Sequence, residues 1–450
     1  MGFRFGSIWL KRVALCVLLI VATCVVPNSL PTSSAQSADD IKRDRNRGVV
    51  MLALVKDYIK EYYYDPNYHG MDLDARFKSA EEKINQANNI SQVLGIIAQA
   101  VVELNDSHTF FVPPSRAVDV EYGWKMQMIG NTCFVVAVKP GSDAEAQGLK
   151  AGDEVISVDG FRPNRATLWK MEYNYAVLHP QPGKRVVVRT PEGQERELAL
   201  KANVTKREKS VNAKELENQF EEDRADEKNL ARISELSEEV MIWKLRQFDL
   251  TESKIDDTMK KARQHKSLIL DLRGNGGGQV VALEKLTGNF FDHDVVIAQA
   301  KGRKEPKPMK AKTRADKAFA GKLIVLVDSQ SASAAEIFAR FVQIEKRATV
   351  IGDRTAGAVM QSRFRPGALG DMSSGNMVFY GASITEANVI MSDGTSLESV
   401  GVTPDELLLP TAADLAAKRD PVLARAAALL GAEITPEKAG TIFPLDKEKW

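Results

Sequence analysis

The sequence has very few cysteines. Of three among 450 residues, Cys16 and Cys24 lie in the apolar stretch near the start of the chain. Cys133 therefore has no partner for an internal disulfide, and in the apolar run Cys133–Val136 we expect it to be a small buried side chain. The five histidines and this cysteine form no group with the spacing of a zinc site. No metal or other cofactor is predicted.

Neither sign of charge is in excess. The 61 lysines and arginines stand against 60 aspartates and glutamates, which gives a formal net charge of +1. A nucleic-acid-binding protein is expected to carry a basic patch or stripe, so nucleic acid is not predicted as a partner. The basic stretch 301–314 is interrupted by Pro306 and Pro308, and we expect it to be a solvated loop.

Long apolar runs are missing beyond the N-terminus. Arg4, Lys11 and Arg12 precede the run Val13–Val26, and the small residues 33–35 offer a cleavage site. This pattern predicts a signal peptide over residues 1–35 and export to the periplasm or the exterior. Since a membrane span needs about 20 apolar residues, an uncleaved anchor is the alternative, and only then is a membrane contact expected.

A serine-rich corner follows one strongly apolar segment. Leu323–Val327 is predicted to be a buried strand, Asp328–Gln330 a turn, and the residues that follow a helix. Ser333 would then lie at the N-terminus of that helix, where unpaired N–H groups and the helix dipole favour a developing anion. Such a serine can serve as an acyl-transfer nucleophile. The alternative is that Ser331 or Ser333 only caps the helix.

A glycine-rich loop follows a second predicted strand. Residues 271–278 read Asp-Leu-Arg-Gly-Asn-Gly-Gly-Gly, and three consecutive glycines leave their amides able to converge on one oxygen. A phosphate cradle is the competing interpretation. The loop lacks the Lys-Ser/Thr of a P-loop and the glycine spacing of a dinucleotide fingerprint, so an oxyanion hole is favoured.

His108 is the candidate general base. It stands in the polar turn Asn105–Thr109, after the helical apolar pattern that ends at Leu104. The other four histidines lie in polar or charged stretches and are predicted to be surface residues: His69, His179, His265 and His293. A lone histidine is more often structural than catalytic, so this hypothesis depends on its neighbours.

These three segments together resemble peptidase family S41, the C-terminal-processing and tricorn-like serine peptidases. The family shares an Asp-Leu-Arg-x-Asn-x-Gly-Gly loop, a Ser-Ala-Ser-Ala-x-Glu corner and a Leu-x-Asp-x-His-Thr segment. Residues 271–278, 331–336 and 104–109 reproduce them. The resemblance implies that Ser333, the second serine of the corner, is the nucleophile.

The family divides by its general base. In the C-terminal-processing branch a lysine follows a Gly-Glu-x-Thr-Phe-Gly segment, whereas here Ala358 follows Gly352–Gly357. A methyl group cannot accept a proton, so another base is required. The resemblance to the tricorn-like branch implies a Ser107–His108 pair assisted by Glu398, which lies in a run similar to the family's Asp-Gly-x-x-x-Glu-x-x-Gly-Val-x-Pro-Asp.

The mechanism that this resemblance implies is acyl transfer. His108 would take the proton of Ser333, while Ser107 and Glu398 hold the imidazole in the useful tautomer. The oxyanion hole would consist of the amide of Ala334 and one from the loop, Gly277 or Gly278.

Residues 118–205 resemble a PDZ domain. Tyr122-Gly123-Trp124 matches the apolar-Gly-apolar carboxylate loop, and the run Gly148–Gly160 is the part most typical of the family. Exposed amides beside an open strand edge can bind a peptide C-terminus as an added strand. The alternative is a domain of this type that only packs against the catalytic core.

The pattern along the chain predicts several domains. Strand and helix signals alternate after Met241, which indicates an α/β core, and the family resemblance implies the ClpP/crotonase-like type. The predicted division is: signal peptide 1–35, helical domain 40–113, PDZ domain 118–205, charged linker 206–240, catalytic core 241–410, and C-terminal helix and tail 411–450.

The sequence is accordingly interpreted as an exported serine endopeptidase that acts on peptide or protein substrates, with PDZ-assisted binding. The alternative is a catalytically inactive peptide- or ligand-binding protein on the same fold. Ser107, His108, Ser333 and Glu398 argue against it, because binding alone requires none of them. Self-association is left open.

Overall fold

The computed structural model describes residues 37–116, 118–206, 230–370 and 377–444. The predicted signal peptide lies outside these ranges, as do most of the charged linker and the last residues of the tail. Within the described part of the chain, no helix is long and apolar enough to cross a membrane.

Three helices form the N-terminal part: α1 Ala38–Tyr62, α2 Leu73–Ile84 and α3 Ile90–Val102. Each begins at a polar cap whose side chain accepts a backbone N–H, namely Ser37, Asp72 and Asn89. Their apolar faces share one core with Phe111 and with Tyr380, Ala382 and Ile384 of a long strand of the main domain. The short strand β1, Phe110–Val112, leaves this bundle and joins the main domain.

A small β domain follows, over residues 118–206. Strand β2 (Val118–Glu121) pairs with β8 (Asn203–Lys206), and the chain between these two strands forms a five-stranded antiparallel sheet. Its strands, in spatial order, are β3 Trp124–Ile129, β4 Thr132–Val138, β5 Glu154–Val158, β6 Gly183–Arg189 and β7 Glu195–Lys201. The short helices α4 (Asp143–Ala146) and α5 (Leu168–Tyr173) accompany this sheet, and Cys133 is buried in its core.

The main domain contains a six-stranded sheet. Its strands are β9 Ala231–Glu235, β10 Val240–Leu245, β11 Ser267–Asp271, β14 Lys322–Val327, β15 Thr349–Gly352 and β18 Glu406–Leu407. Their spatial order is β18-β15-β14-β11-β10-β9, and neighbouring strands are parallel except for β9 and β10. Strand β9 lies inside the segment that the sequence suggested was linker.

Helices cover both faces of this sheet, so its strands alternate between two cores. Met241, Leu270 and Val325 face one core together with α6 Glu252–Ala262, α7 Val280–Thr287 and α8 Ala334–Ile344. Ile242, Ile269 and Leu326 face the other core, which α10 (Pro421–Leu429) closes. Two short helices, α9 Ala412–Ala416 and α11 Pro436–Gly440, flank α10.

A second, antiparallel sheet completes the domain. Its strands are β12 Val295–Gly302, β13 Lys307–Ala311, β16 Met360–Leu369 and β17 Val378–Met391, together with β1. The basic stretch interpreted as a solvated loop thus contains β13, so that expectation was wrong. Because β1 pairs with β17 through Phe110 and Ser383, the turn before β1 is fixed against the main domain.

An ion-pair network joins the C-terminal helix to the strand that precedes the glycine loop. The Arg273 guanidinium binds Asp271 and both carboxylate oxygens of Asp420, at 2.8 and 2.9 Å. Asp420 also caps α10 by accepting the N–H of Leu423. Arg273 and Asp420 are largely buried, so the loss of one partner leaves the other poorly compensated.

We therefore predict that Asp420→Ala lowers the free energy of unfolding by about 2–4 kcal/mol, since it removes a helix cap and one carboxylate of the network. Asp420→Asn keeps a capping oxygen and should cost roughly half as much. Denaturant titration of both variants measures the difference, and unchanged stability of the alanine variant would contradict the prediction.

Candidate active site

Ser333 lies at the corner between β14 and α8, at the N-cap of the helix. Its backbone has φ 53° and ψ −118°, a region that non-glycine residues rarely occupy. Its N–H donates to the carbonyl of Ala358 at 2.9 Å. Ser331 has a different position: it is fully buried, and its hydroxyl donates to the carbonyl of Leu272 at 2.8 Å. Ser331 thus holds the turn, and Ser333 begins the helix.

Glu336, on the first turn of α8, holds this corner in place. Its carboxylate is buried and accepts four hydrogen bonds: from Thr355 Oγ1 at 2.5 Å and from the amides of Gly357, Ala358 and Ser333 at 2.8, 2.9 and 3.1 Å. Burial raises the pKa of Glu336 to about 7, although these four bonds act in the opposite direction. The strained conformation of Ser333 is therefore held by a buried carboxylate three residues away.

The glycine loop packs directly against Ser333. A Cβ on Gly277 would lie 2.6 Å from the Cβ of Ser333, so only glycine fits there. The amide of Gly277 donates to Asn275 Oδ1 at 2.8 Å and is thus already engaged. Among the described residues, the amides of Gly278 and Ala334 have no hydrogen-bond acceptor. Of the two glycines suggested for the oxyanion hole, Gly278 is the one with a free N–H.

His108 stands in the turn between α3 and β1, and its ring is held by a relay. Nδ1 lies 2.7 Å from Ser107 Oγ, and that hydroxyl donates to Glu398 Oε2 at 2.8 Å. Because the hydroxyl of Ser107 donates its hydrogen to Glu398, its oxygen can only accept a hydrogen bond from Nδ1–H of His108. This leaves Nε2 as the unprotonated, basic nitrogen of a neutral ring.

The carboxylate of Glu398 accepts three hydrogen bonds. Besides the hydroxyl of Ser107, it accepts the amide of Ser107 at 2.7 Å and the amide of Val359 at 2.8 Å. Burial raises the pKa of Glu398, which these bonds oppose. Burial likewise lowers the pKa of His108 to about 4, against the field of Asp106. The imidazole is therefore neutral near neutral pH and can accept a proton.

One short backbone segment connects the two halves of the site. The carbonyl of Ala358 accepts the Ser333 amide, and the next amide, of Val359, donates to Glu398. Ser333 and the relay of Ser107, His108 and Glu398 are thus attached to adjacent residues of one segment. The four residues singled out from the sequence lie in one hydrogen-bonded assembly.

The predicted peptide-binding loop lies at the entry to β3. Gly123 has φ +72°, and its carbonyl accepts the amide of Lys139 at 2.8 Å. Trp124 is buried, and the hydroxyl of Tyr122 donates to the carbonyl of Gln181 at 2.9 Å. The ammonium of Lys184 lies 3.5 Å from the centre of the Tyr122 ring.

The far end of β3 contacts the nucleophile corner. The Gln127 amide donates to Asp328 Oδ2 at 2.8 Å, and the Ser329 hydroxyl donates to the carbonyl of Met128. Both Asp328 and Ser329 belong to the turn that precedes Ser333. The small β domain therefore touches the loop that positions the nucleophile.

Of the remaining histidines, His69, His179 and His293 are exposed and His265 is half-buried. His69 is nevertheless bound: its Nδ1 lies 2.8 Å from the carbonyl of Leu104, just before the His108 turn. Within the ranges covered by the structure, no cluster of three His, Cys, Asp or Glu side chains could hold a metal ion.

Sequence reasoning missed three residues of the assembly: Asp106, Glu336 and Thr355. Glu336 and Asp106 were present in the quoted motifs, but a motif does not show which backbone amides a carboxylate will accept. The spacing of Glu336 three residues after Ser333 is a capping-box signal and could have indicated its contact with the Ser333 amide.

Part of the main domain is similar to a known family. Residues 239–408 match the family described as peptidase family S41. It includes Ser333, the glycine loop and Glu398. His108 and the small β domain lie before it.

Two curated proteins are similar over larger parts of the chain. A carboxyl-terminal-processing protease of Picosynechococcus sp. is 24% identical over 369 residues, which covers 78% of this chain and 81% of that protein. A probable CtpA-like serine protease of Staphylococcus haemolyticus is 24% identical over 292 residues, covering 64% of this chain and 52% of the relative. The chain thus spans about half the length of the staphylococcal relative.

Solved structures show the same fold. The crystal structure of mature CPAF superimposes with a TM-score of 0.62 at 16% identity and covers 83% of this chain and 94% of that one. Mature CPAF complexed with lactacystin gives a TM-score of 0.61 at 16% identity, with 83% and 95% coverage. At this identity the likeness establishes fold alone, and it confirms the predicted mixed α/β architecture.

The contact between Gly277 and Ser333 gives a testable prediction. Gly277→Ala should abolish reaction of Ser333 with a serine-directed probe, because the new methyl group would occupy the space of the Ser333 side chain. Gly274→Ala is the matched control: Gly274 also has a positive φ, but its added Cβ would meet no atom closer than 3.8 Å. The left-handed backbone should cost each variant about 1–2 kcal/mol of stability, and Gly277→Ala should lose more because of its clash with Ser333. Equal probe labelling of both variants would contradict the prediction.

Proposed function

We propose that the protein is a serine endopeptidase in which Ser333 is the nucleophile and His108 the general base. The observation that carries this proposal is the shared segment Ala358–Val359. It binds the strained nucleophile corner on one side and the carboxylate that orients the His108 relay on the other. The S41 match and the proteases among the relatives support peptide-bond hydrolysis as the reaction.

The proton has a defined route in this mechanism. Nε2 of His108 takes it from Ser333 Oγ as that oxygen attacks the peptide carbonyl, and returns it to the leaving amine. Water then attacks the acyl carbon and gives a proton to His108, which passes it to Ser333 Oγ as the ester bond breaks and the acid product leaves. Ser107 and Glu398 keep Nδ1 protonated throughout, so Nε2 stays the basic nitrogen.

The oxyanion hole is proposed to consist of the amides of Ala334 and Gly278. Ala334 is the first residue of α8, so its N–H belongs to the positive end of the helix dipole. Neither amide has an acceptor among the described residues. The oxyanion of the tetrahedral intermediate would accept both hydrogen bonds. Each such donor typically raises kcat by roughly 10²–10³-fold.

We also propose that residues 118–205 act as a PDZ domain and that the chain is exported. Strand β3 is at the edge of its sheet, so an added strand could pair with it. The carbonyl of Met128 is already used by Ser329, which leaves the part of the edge next to Gly123 for a peptide tail. An antiparallel tail with its carboxylate at Gly123 would run along β3 toward the nucleophile corner.

The first test is covalent labelling by a fluorophosphonate probe. The native protein should be labelled at Ser333 and should cleave an unstructured protein substrate, whereas Ser333→Ala should do neither and remain folded. Ser331→Ala is the control: that hydroxyl holds the turn, so this variant should lose stability yet still be labelled by the probe once folded. Labelling that survives in Ser333→Ala would show that another residue is the nucleophile.

A second test concerns the proposed PDZ domain. Peptides that end in an apolar residue with a free carboxylate should be cut faster than their C-terminally amidated versions. Gly123→Ala should remove the difference, because its Cβ would lie 2.4 Å from the Cβ of Ser142. Gly141→Ala also changes a glycine of positive φ, but with no atom within 4 Å, and should preserve the difference. Equal rates for both peptides in the native enzyme would argue for a packing role only.

A further inference from the structure

Asp106 is a buried carboxylate beside His108 that the relay through Ser107 does not use. Its side chain is 4% exposed, and Oδ1 accepts three hydrogen bonds. The donors are the amides of His108 and Thr109, at 2.9 and 2.8 Å, and the hydroxyl of Thr385 at 2.6 Å. Oδ2 is buried and has no hydrogen-bond partner within the described ranges.

This arrangement indicates an ionised carboxylate. Each of the three partners of Oδ1 acts as a donor, and Oδ2 has no acceptor to which a carboxylic acid hydrogen could be given. A charge with one unshared oxygen in a poorly solvated place acts strongly on its surroundings. The nearby hydroxyls respond to it: the pKa of Tyr64 is raised to about 12, first by burial and then by Asp106, and that of Tyr63 is raised by the same two causes.

Asp106 is also the group that opposes the effect of burial on His108. Burial lowers the pKa of His108 to about 4, and the field of Asp106 acts to raise it. Glu398 reaches the ring only through the hydroxyl of Ser107, so among the described residues no carboxylate is bonded directly to the imidazole. Tyr63 and Tyr64 face Asp106 from the helical bundle, Thr385 faces it from β17, and the Glu398 carboxylate also feels its charge. His69 binds the hydroxyl of Tyr64 and the carbonyl of Leu104 beside this group.

We propose that Asp106 is a positioning residue for His108: Oδ1 fixes the backbone of the His108 turn, and the unshared charge on Oδ2 stabilises the imidazolium that forms when Nε2 takes the proton of Ser333. The inference rests on the proposed function, since it concerns the same base. A purely structural alternative exists, in which Asp106 only closes the turn through its hydrogen bonds with the amides of His108 and Thr109.

Asp106→Asn separates the two roles, because the amide oxygen can still accept the hydrogen bonds of Oδ1 while the charge is lost. The His108 pKa, followed by NMR titration of the ring in the full chain, should fall by about one unit. The pH-independent kcat/KM should fall about tenfold. The acid limb of the kcat/KM profile should move to lower pH, because an imidazole of lower pKa remains neutral down to a lower pH. A structural role would leave the limb and the titration in place.

The control variant is Asp65→Asn. The Asp65 carboxylate also closes a local turn, by accepting the amides of Asn67 and His69 at 3.0 and 2.7 Å. It acts on the hydroxyls of Tyr63 and Tyr64, as Asp106 does, but of the two carboxylates only Asp106 acts to raise the pKa of His108. Asp65→Asn should leave the His108 titration and kcat/KM unchanged. An equal shift in both variants would mean that His108 responds to general loss of negative charge, which overturns the proposal.

Thr385→Val is the second variant and serves if Asp106→Asn does not fold. It removes the hydroxyl that donates to Oδ1, so fewer hydrogen bonds stabilise the negative charge of Asp106. The pKa of His108 should then rise, which is opposite to the effect of Asp106→Asn. If both variants weaken activity with no movement of the His108 titration, Asp106 is only a turn-closing residue. Since NMR needs no turnover, a native protein that neither cleaves peptides nor reacts with the probe would refute the proposed function without deciding the role of Asp106.

Discussion

The Glu336 carboxylate is the interaction on which the site depends. Its two buried oxygens accept hydrogen bonds from the amide of Ser333, from the amides of Gly357 and Ala358, and from the hydroxyl of Thr355. A strained Ser333 backbone costs about 1–3 kcal/mol, and isolated hydrogen bonds would recover it poorly. Charge-assisted hydrogen bonds to a buried carboxylate are stronger than bonds between neutral groups. The single carboxylate of Glu336 can therefore stabilise a backbone conformation that Ser333 would not adopt by itself.

The same principle recurs on the other side of the segment Gly357–Val359. Glu398 accepts hydrogen bonds from the amide and hydroxyl of Ser107 and from the amide of Val359, so a second, half-buried carboxylate ties the helical bundle to the main domain. The base comes from one part of the chain and the nucleophile from another, more than 200 residues apart. Their mutual placement therefore depends on tertiary carboxylate–amide contacts and on the pairing of β1 with β17.

Local sequence patterns predicted the local parts of this molecule. The apolar run of β14 followed by small residues indicated the corner, and three glycines indicated a loop with open amides. Asp106, and the contacts of Glu336 outside its own helix, could not be assigned from spacing, because Thr385 and Ala358 reach these carboxylates only in the folded chain. Strand β13 was missed because Pro306 and Pro308 suggested a loop. Pro308 is tolerated there because β13 lies at the edge of its sheet, where one row of amides pairs with no strand.

Ala358 has a further consequence for how this site can vary. Its amide donates to Glu336 and its carbonyl accepts from Ser333, so the main chain at this position is fixed whichever side chain it carries. Replacing the side chain at residue 358 would therefore change the chemistry beside Ser333 without removing a hydrogen bond that positions the serine. At this position the main chain sets the geometry of the site, and the side chain can vary independently of it.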